Sequence, residues 1–462
     1  MTAKSTDAAL PSTSTVVPWP GRVSWVLFEW ARNPYVLVIT VYVYATYFTR
    51  DVVGDPVRGQ ALWAAIQGYA GLAVALLAPF LGAIADAGGR RKPWAAFFTV
   101  LLGLSTALLW FGEPAGRGLG LFGIGAVIAL SNLSYDGSLV FHGAMLPAVV
   151  PRERIGSWSG LGYGLGNLAG IVLLVFILVF FYLPAEPLFG LDRGAHEHER
   201  IAGPLCALWL AIFSLPFFLF TPDRPSKGLP ISLAVRQGVA NVLRTVKSLG
   251  HYSNVAAFLG ARMIYNDGQN VMLSFGGIYA VGVFGWGEVE SAVYGIALSL
   301  FAALGGLLGG RLADRIGTKR ALQLSIGGMI VAALVSLGFA PDRLFFFVAY
   351  APGTVVADLP VFRTAPELFY IGNIMLVAVC LVATYANSRT MLARIAPPSR
   401  MTEFFGLYAL SGEATAFVAP IAVAIATSAS GSQQWGMAAI VAFLALGFIG
   451  LFFVREERAQ EI

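Results

Sequence analysis

Charge is scarce in this sequence. Asp, Glu, Lys and Arg make up 12% of its 462 residues, where a soluble domain carries about 25%. Cysteine is scarcer still. Cys206 and Cys380 both lie in apolar stretches, so neither a disulfide framework nor a paired-cysteine metal centre is indicated. There is no P-loop and no zinc-protease helix, which leaves an ATP-driven pump or a membrane protease without support. Residues 1–20 are polar and rich in Ser, Thr and Pro, and they lack the apolar core of a cleavable signal peptide. The first apolar run, from near Ser24, is expected to act as an uncleaved anchor. What the chain does have is 57% hydrophobic residues and 53 glycines. That much glycine suits close helix contacts in lipid. The hydrophobicity excludes the disorder that Gly and Pro could otherwise signal.

These proportions predict an all-α integral membrane protein with twelve transmembrane helices. The apolar runs place them near 24–48, 61–85, 93–112, 118–150, 157–183, 203–221, 254–284, 290–313, 320–340, 366–395, 403–427 and 433–454. The fourth and tenth runs exceed the bilayer thickness and are expected to tilt or protrude. With the N-terminus inside, most of the 30 basic residues fall on inner segments, including Lys4, Lys92, Lys227, Lys247 and Lys319. Miscounting one span would scramble that alternation, so both termini are expected to be cytoplasmic. The formal charge of +5 is then a topology signal and need not imply nucleic acid.

The two halves repeat. Gly82-Ala-Ile-Ala-Asp86-Ala-Gly-Gly-Arg90-Arg-Lys92 recurs as Gly310-Arg-Leu-Ala-Asp314-Arg315-Ile-Gly317-Thr-Lys-Arg320. The run from Pro151 to Leu161 matches that from Pro397 to Leu407. The spacing between the two matches implies an insertion in the second half, assigned to Pro341–Glu367. Two parallel six-helix pseudo-repeats are the architecture of a carrier that rocks around a central site. The expected organisation is a polar tail (1–23), an N-terminal bundle (24–221), a linker (222–253), a C-terminal bundle (254–454) and a short tail (455–462). In the linker, Val235, Val239, Val242, Val246 and Leu249 recur at helical spacing, with Arg236, Asn241, Arg244 and Lys247 on other faces. That reads as an amphipathic helix at the inner interface, a tether between the halves. The glycines Gly160, Gly162, Gly164, Gly166 and Gly170 read as packing positions.

The repeated loop resembles the signature loop of the major facilitator superfamily. Its glycines allow a tight turn, and its aspartates can accept from a helix N-terminus of the other half. Gly82, Asp86, Arg90, Gly310, Asp314, Arg315 and Gly317 are therefore candidates for a conformational switch. A narrower resemblance rests on Phe28-Glu-Trp-Ala31, Gly82 to Asp86 with Gly89-Arg-Arg-Lys-Pro93, and Ile155 to Gly162. It continues through Tyr265-Asn-Asp-Gly268, Gly276 to Ala280 and Glu403-Phe-Phe-Gly-Leu-Tyr408. These resemble the vacuole-effluxer branch of that superfamily, the autophagy-linked vacuolar amino-acid effluxers and their bacterial relatives. The resemblance implies export of amino acids or similar small solutes. Arg32 stands where that branch tends to have Asn, and Glu413 where a basic residue is expected.

Charges inside the spans are expensive unless they face water or each other. They are Glu29 and Arg32, Asp136, Arg262 and Asp267, Arg389, and Glu413. Together with Asn33, Asn132, Tyr135, Asn266 and Asn270 they are the candidate substrate and coupling residues; structural pairing between helices is the rival role. The matched halves suggest that Glu29 pairs with Arg262; the shared departure from the resembled branch's pattern suggests that Arg32 and Glu413 compensate one another, and Asp267 can then take Arg389. Asp136 is then left without a base, unless His142 supplies one. Desolvation favours the protonated form of an unpaired carboxylate, which makes Asp136 the first candidate proton carrier and Glu413 the second. No metal centre is expected: His196-Glu-His198-Glu lies on an outer loop with no further histidine or cysteine cluster nearby.

The expected function is a secondary active transporter, not an enzyme, moving small solutes by alternating access as proton-coupled efflux. Drug or lipid efflux is a second reading, and a receptor using the same shell without transport is a third. No cofactor is expected beyond a coupling proton. The expected partners are the lipid bilayer and a small-molecule substrate, with no nucleic acid, and the chain is expected to be a monomer in a bacterial inner membrane.

Overall fold

The computed structural model describes residues 17–247, 252–431 and 433–457. The expectations for residues 1–16, Leu249 and residues 458–462 lie outside them. The described chain is helical almost throughout. Its twelve spans follow the apolar runs, and ten helices among the described residues are long and apolar enough to cross a membrane. The two that fall outside that group, spans 1 and 7, carry Glu29 with Arg32 and Arg262 with Asp267.

In the first half, span 2 is Pro56–Gly88, span 3 Lys92–Leu108, span 4 Gly120–Val149, span 5 Ile155–Ile177 and span 6 Ala202–Phe220. In the second half, span 7 is Ser253–Phe284, span 8 Glu288–Ile316, span 9 Thr318–Ser336, span 10 Ala365–Ile395 and span 12 Gln433–Gly450. Spans 2, 7 and 8 are long helices too, so excess length is not confined to spans 4 and 10.

Spans 1 and 11 are broken. Span 1 starts as Trp19–Arg32 and continues as a π-helix over Tyr35–Tyr42. Pro34 has no N–H and cannot bond the Trp30 carbonyl one turn back. The Trp209 indole takes that carbonyl instead, at 2.9 Å. Span 11 runs Met401–Glu413, loosens into turns, and resumes as Val418–Ser430. Pro420 likewise cannot donate to Ala416. Both breaks fall at membrane depth, where irregular backbone is tolerated only if protein or a cavity covers it.

Even-numbered connections, the linker and both described chain ends share one face, the linker face. The insertion lies on the opposite face. There Arg343–Leu344 pairs antiparallel with Val348–Ala349 in a small hairpin, whose tip leaves Phe346 and Phe347 exposed. Ile231–Lys247 is the linker helix. Its packed face is Ala234, Gly238 and Val242, so the expected stripe is split: Val242 is buried, whereas Val235 and Val239 are exposed. The reason is steric. A Cβ on Gly238 would sit 2.7 Å from Ile84 of span 2, so the smallest residues of the helix, not the largest, set its seat.

Candidate functional site

Each signature aspartate caps a helix of the other half. Asp86 accepts from the backbone N–H of Thr402 at 2.7 Å and of Glu403 at 3.0 Å, and from the Thr402 hydroxyl at 2.7 Å. Asp314 accepts from the backbone N–H of Gly156 at 2.9 Å and of Ser157 at 2.7 Å. These are the orphan donors at the starts of spans 11 and 5, where a carboxylate also meets the positive end of the helix dipole. The glycines make the approach possible. A Cβ on Gly82 would lie 2.3 Å from the Thr402 carbonyl oxygen, and one on Gly310 equally 2.3 Å from that of Gly156. Gly89 and Gly317 both have φ of 92°, the left-handed region that favours glycine. Repeat-equivalent residues thus make the same contact twice, and both contacts tie the two halves together at the linker face.

The arginines differ from expectation. Arg90 and Arg315 are exposed and, among the described residues, touch neither aspartate. Asp86 is bound by Arg91, 2.8 Å away and 1% exposed, which also donates to the Ala144 carbonyl. Asp314 is bound by Arg394 at 2.9 Å, and Arg394 also holds Glu456 at 2.8 Å. Adjacent arginines in the first loop look equivalent in sequence, and only the turn at Gly89 decides which one points inward. Arg394 is remote in sequence and carried no motif. Around Asp86 the linker face also encloses a polar cavity of about 280 Å³, lined in part by Lys227, Gln237, Asn241, Arg400 and Glu403.

Deeper in, one carboxylate gathers the bases. Glu29 is 2% exposed and accepts from Arg32 at 2.7 Å and from Arg389 of span 10. His142 Nδ1 lies 3.4 Å away. The His142 ring stacks on Trp25 at 4.3 Å, and its Nε2 faces the Trp25 carbonyl at 2.8 Å. A carbonyl only accepts, so Nε2 carries the hydrogen. Arg389 also donates to the Ser159 hydroxyl at 3.0 Å and carbonyl at 2.7 Å. The Glu29–Arg389 pair is therefore a third tie between the halves, buried in the membrane.

All three expected pairings are overturned. Glu29 does not meet Arg262. Arg262 donates to the Tyr408 carbonyl and the Ser411 hydroxyl, each at 2.7 Å, and lies 3.5 Å over the Tyr408 ring. Arg32 does not meet Glu413; it sits one turn from Glu29 and 4.5 Å over Tyr135. Arg389 goes to Glu29, not to Asp267. Counting acids against bases assumed one-to-one pairing, whereas one glutamate here takes two arginines. Among the described residues, Asp136, Asp267 and Glu413 consequently form no ion pair.

Three of the polar candidates, Asn33, Asn132 and Asn266, make bonds at the broken helices. Asn33 accepts from Tyr135 at 3.4 Å, Asn132 from Tyr35 at 2.7 Å, and the Asn132 amide also contacts Gln67. Asn266 donates to the Gly412 carbonyl at 3.1 Å, beside the break in span 11, and Asn270 accepts from Tyr385 at 3.4 Å. On the opposite face Asp51, His196 and Glu199 come together with ligand atoms within 4.8 Å of one another. Arg50 binds both carboxylates there, each at 2.8 Å.

Known proteins bear on this arrangement. Residues 152–461 match the family model described as Vacuole effluxer Atg22 like. An uncharacterized MFS-type transporter of Bacillus subtilis (strain 168), YxiO, is 24% identical over 448 residues, covering 95% of this chain and 96% of that protein. Autophagy-related protein 22 of Cryptococcus neoformans is 22% identical over 306 residues, or 65% of this chain, and the match spans 51% of that longer protein. Among solved structures, the proton:xylose symporter XylE aligns with TM-score 0.67 and 12% identity, over 94% of this chain and 95% of its own. A bacterial homologue of the iron transporter ferroportin, in an outward-facing state, aligns with TM-score 0.64 and 13% identity, over 93% and 98%. At such identities the structural likeness speaks for the fold alone. With the family model covering well over half of it, the chain belongs to the Atg22-like vacuole-effluxer family, as a multi-pass membrane transporter of the major facilitator type and not an enzyme.

Proposed function

We propose that this transporter works by alternating access, exporting small solutes such as amino acids in exchange for protons, and that the structure is its inward-closed state. The observation that carries the proposal is the set of ties between the halves at and below the linker face: Asp86 on span 11, Asp314 on span 5, and Glu29 on Arg389. For the halves to part there, all must break together. Contacts that exist in only one state are what a rocking carrier needs. The excess of lysine and arginine on the linker face supports a cytoplasmic assignment for that face and for both described chain ends; a bacterial inner membrane is part of the same proposal.

Coupling to protons rests on the acids without an ion pair. Asp136 is the first candidate carrier, since Arg32, the base within electrostatic range of it, is committed to Glu29. The test uses proteoliposomes with an imposed pH gradient and a panel of amino acids, sugars and drugs. Gradient-driven accumulation of a solute by the wild type is expected. Asp136→Asn should lose that accumulation while retaining solute exchange. Transport indifferent to the gradient, or undiminished accumulation by the variant, would remove the coupling assignment.

A further inference from the structure

Glu29 gives its two oxygens to different partners. Oε2 accepts from Arg32, on the same helix, at 2.7 Å. Oε1 accepts from Arg389 of the other half, and it is the same oxygen that His142 Nδ1 faces at 3.4 Å. His142 and Arg389 thus meet at one atom. His142 is fully buried, and its Nδ1 has no hydrogen-bond partner. With the hydrogen on Nε2, held by the Trp25 carbonyl, Nδ1 is a bare lone pair, and a carboxylate oxygen only accepts. Two acceptors therefore face each other with no donor between them. A proton on Nδ1 turns that contact into a charge-assisted hydrogen bond. The ring needs no new position for it, being fixed by Trp25 at 4.3 Å, Phe28 at 4.9 Å and Phe217 of span 6 at 5.7 Å. The charged groups around it are Glu29 and Arg32 of span 1 and Arg389 of span 10. Arg91 of span 3, which reaches the Ala144 carbonyl two residues along, is neutralised by Asp86.

We infer that His142 is the residue through which a proton opens the linker face. Protonated, it takes Glu29 Oε1 within its own half, and Arg389 loses its counter-charge. What Arg389 keeps across the interface is neutral: the Ser159 hydroxyl and carbonyl, and the Tyr163 ring at 4.2 Å. A buried arginine without an anion is costly, and parting of the halves supplies it with water. While the halves are shut, a proton on His142 puts a third positive charge around one carboxylate; once Arg389 withdraws, two remain. Proton uptake and opening therefore favour each other, and that coupling is reciprocal. The proton adds to the Nδ1 lone pair and leaves from the same atom, and no other covalent bond forms or breaks. Opening brings the ring within reach of water at the linker face, where loss of the proton returns Oε1 to Arg389 and lets the face close. Admitting a proton in order to open inward is the order that exchange of protons for an exported solute requires. Asp136 keeps its place as carrier; His142 converts the proton into movement.

This inference rests on the proton-exchange reading above, and the experiment separates the two. Arg90 and Arg315, exposed on the linker face and one in each half, are replaced as Arg90→Cys and Arg315→Cys and spin-labelled; Cys206 and Cys380 are buried. The distance between the labels is measured by pulsed electron resonance in liposomes from pH 7.5 down to pH 5. Accumulation of leucine, glucose and the other solutes of the panel is followed under a pH gradient. The inference expects a short distance at pH 7.5 and a growing longer one in acid. The open-to-closed ratio should rise by up to about tenfold per pH unit, the limit for one proton. His142→Phe keeps a ring on Trp25 but cannot take a proton, so it should stay closed throughout and accumulate nothing. Asp136→Asn should lose accumulation yet keep the acid-driven opening. A wild-type distance that ignores pH, or a His142→Phe protein that opens in acid as the wild type does, overturns the switch. If the wild type then still accumulates a solute, the transport reading stands without it. Acid opening that His142→Phe abolishes, with no solute driven by the gradient, would instead keep the switch and sink the proton-exchange reading.

Discussion

At the linker face the two halves treat each other alike. Asp86 and Gly82 meet the start of span 11 as Asp314 and Gly310 meet the start of span 5. One turn further in the correspondence persists. A Cβ on Gly160 would lie 2.1 Å from the Gly306 carbonyl oxygen, and one on the equivalent Gly406 2.4 Å from that of Ala78. One residue back along spans 5 and 11 it fails. The repeat relates Arg389 to Gly143 and Ser159 to Phe405. On one side of the pseudo-twofold, Arg389 binds Ser159 and reaches Glu29. On the other, the Phe405 ring packs on Gly143, 2.7 Å from where a Cβ would be. The shell that must rock is kept symmetric, because both halves have to part from the same starting contact. The interior that must recognise a solute is free to differ.

The largest effect should come from the asymmetric side. Glu29→Gln leaves the buried Arg32 and Arg389 without a counter-charge, and breaking one partner of a buried pair costs about 3–5 kcal/mol. Thermal unfolding in detergent should fall sharply, and transport with it. Phe405→Leu, on the uncharged side, should remove only part of the packing and lower the melting temperature less, without exposing a charge. Equal losses in the two variants would mean that the asymmetry carries no energetic weight.

The next test attacks the symmetric shell. Gly160→Leu forces a side chain into the Gly306 backbone, and overpacking of this kind costs about 1–3 kcal/mol. Gly406→Leu should behave the same way against Ala78. In both, cysteine labelling at linker-face positions should rise, since the halves can no longer close there. A rise in one variant only would mean that the two interfaces are not energetically equivalent.

Much of this was legible beforehand, for reasons that differ by level. Span positions followed from apolar run length, because lipid admits little else. The two aspartates were visible because the motif occurs twice. Family motifs found their use: Glu403 offers its N–H to Asp86, Gly406 packs on Ala78, and Tyr408 lies under Arg262. Pairing was not legible. A helical wheel shows that Glu29 and Arg32 share a face, but not that Arg389, distant along the chain, reaches the same oxygens. Nor does it show which of Arg90 and Arg91 turns inward, since that depends on one left-handed glycine.

A smaller effect should separate the two caps. Asp86 is 7% exposed, and the contacts of its carboxylate are buried, whereas those of Asp314 are only partly buried. A carboxylate at a helix N-terminus contributes about 0.3–1 kcal/mol when exposed and up to ~2 kcal/mol when partly buried. Asp86→Asn should therefore open the linker face more than Asp314→Asn, read as cysteine accessibility, and should slow turnover more than it weakens solute binding. Unchanged labelling and transport in Asp86→Asn would leave the loop a role in topology alone.

The smallest effect belongs to Glu456, which joins the second cap through Arg394 and holds the Lys319 backbone N–H as Asp223 in the first half holds those of Arg91 and Lys92. Burial alone would raise its carboxyl, but hydrogen bonds from Arg394 and from the Lys319 and Thr318 backbone outweigh that and hold it below the usual carboxylate range. The sign follows from that direction. A carboxylate with a depressed pKa contributes its full stabilisation above the ordinary carboxylate range, and the contribution is lost as pH falls through its own lowered value. The closed state should therefore be insensitive to pH near neutrality and weaken only in acid. The pair is partly exposed, so its worth is about 0–1 kcal/mol. Glu456→Gln should cost that much at neutral pH, seen as a slight rise in linker-face labelling near span 9. The cost should disappear in strong acid, where the wild type has lost the charge as well. A variant that matches the wild type at neutral pH but differs from it in acid would reverse the assignment and make Glu456 a liability to closure rather than a support.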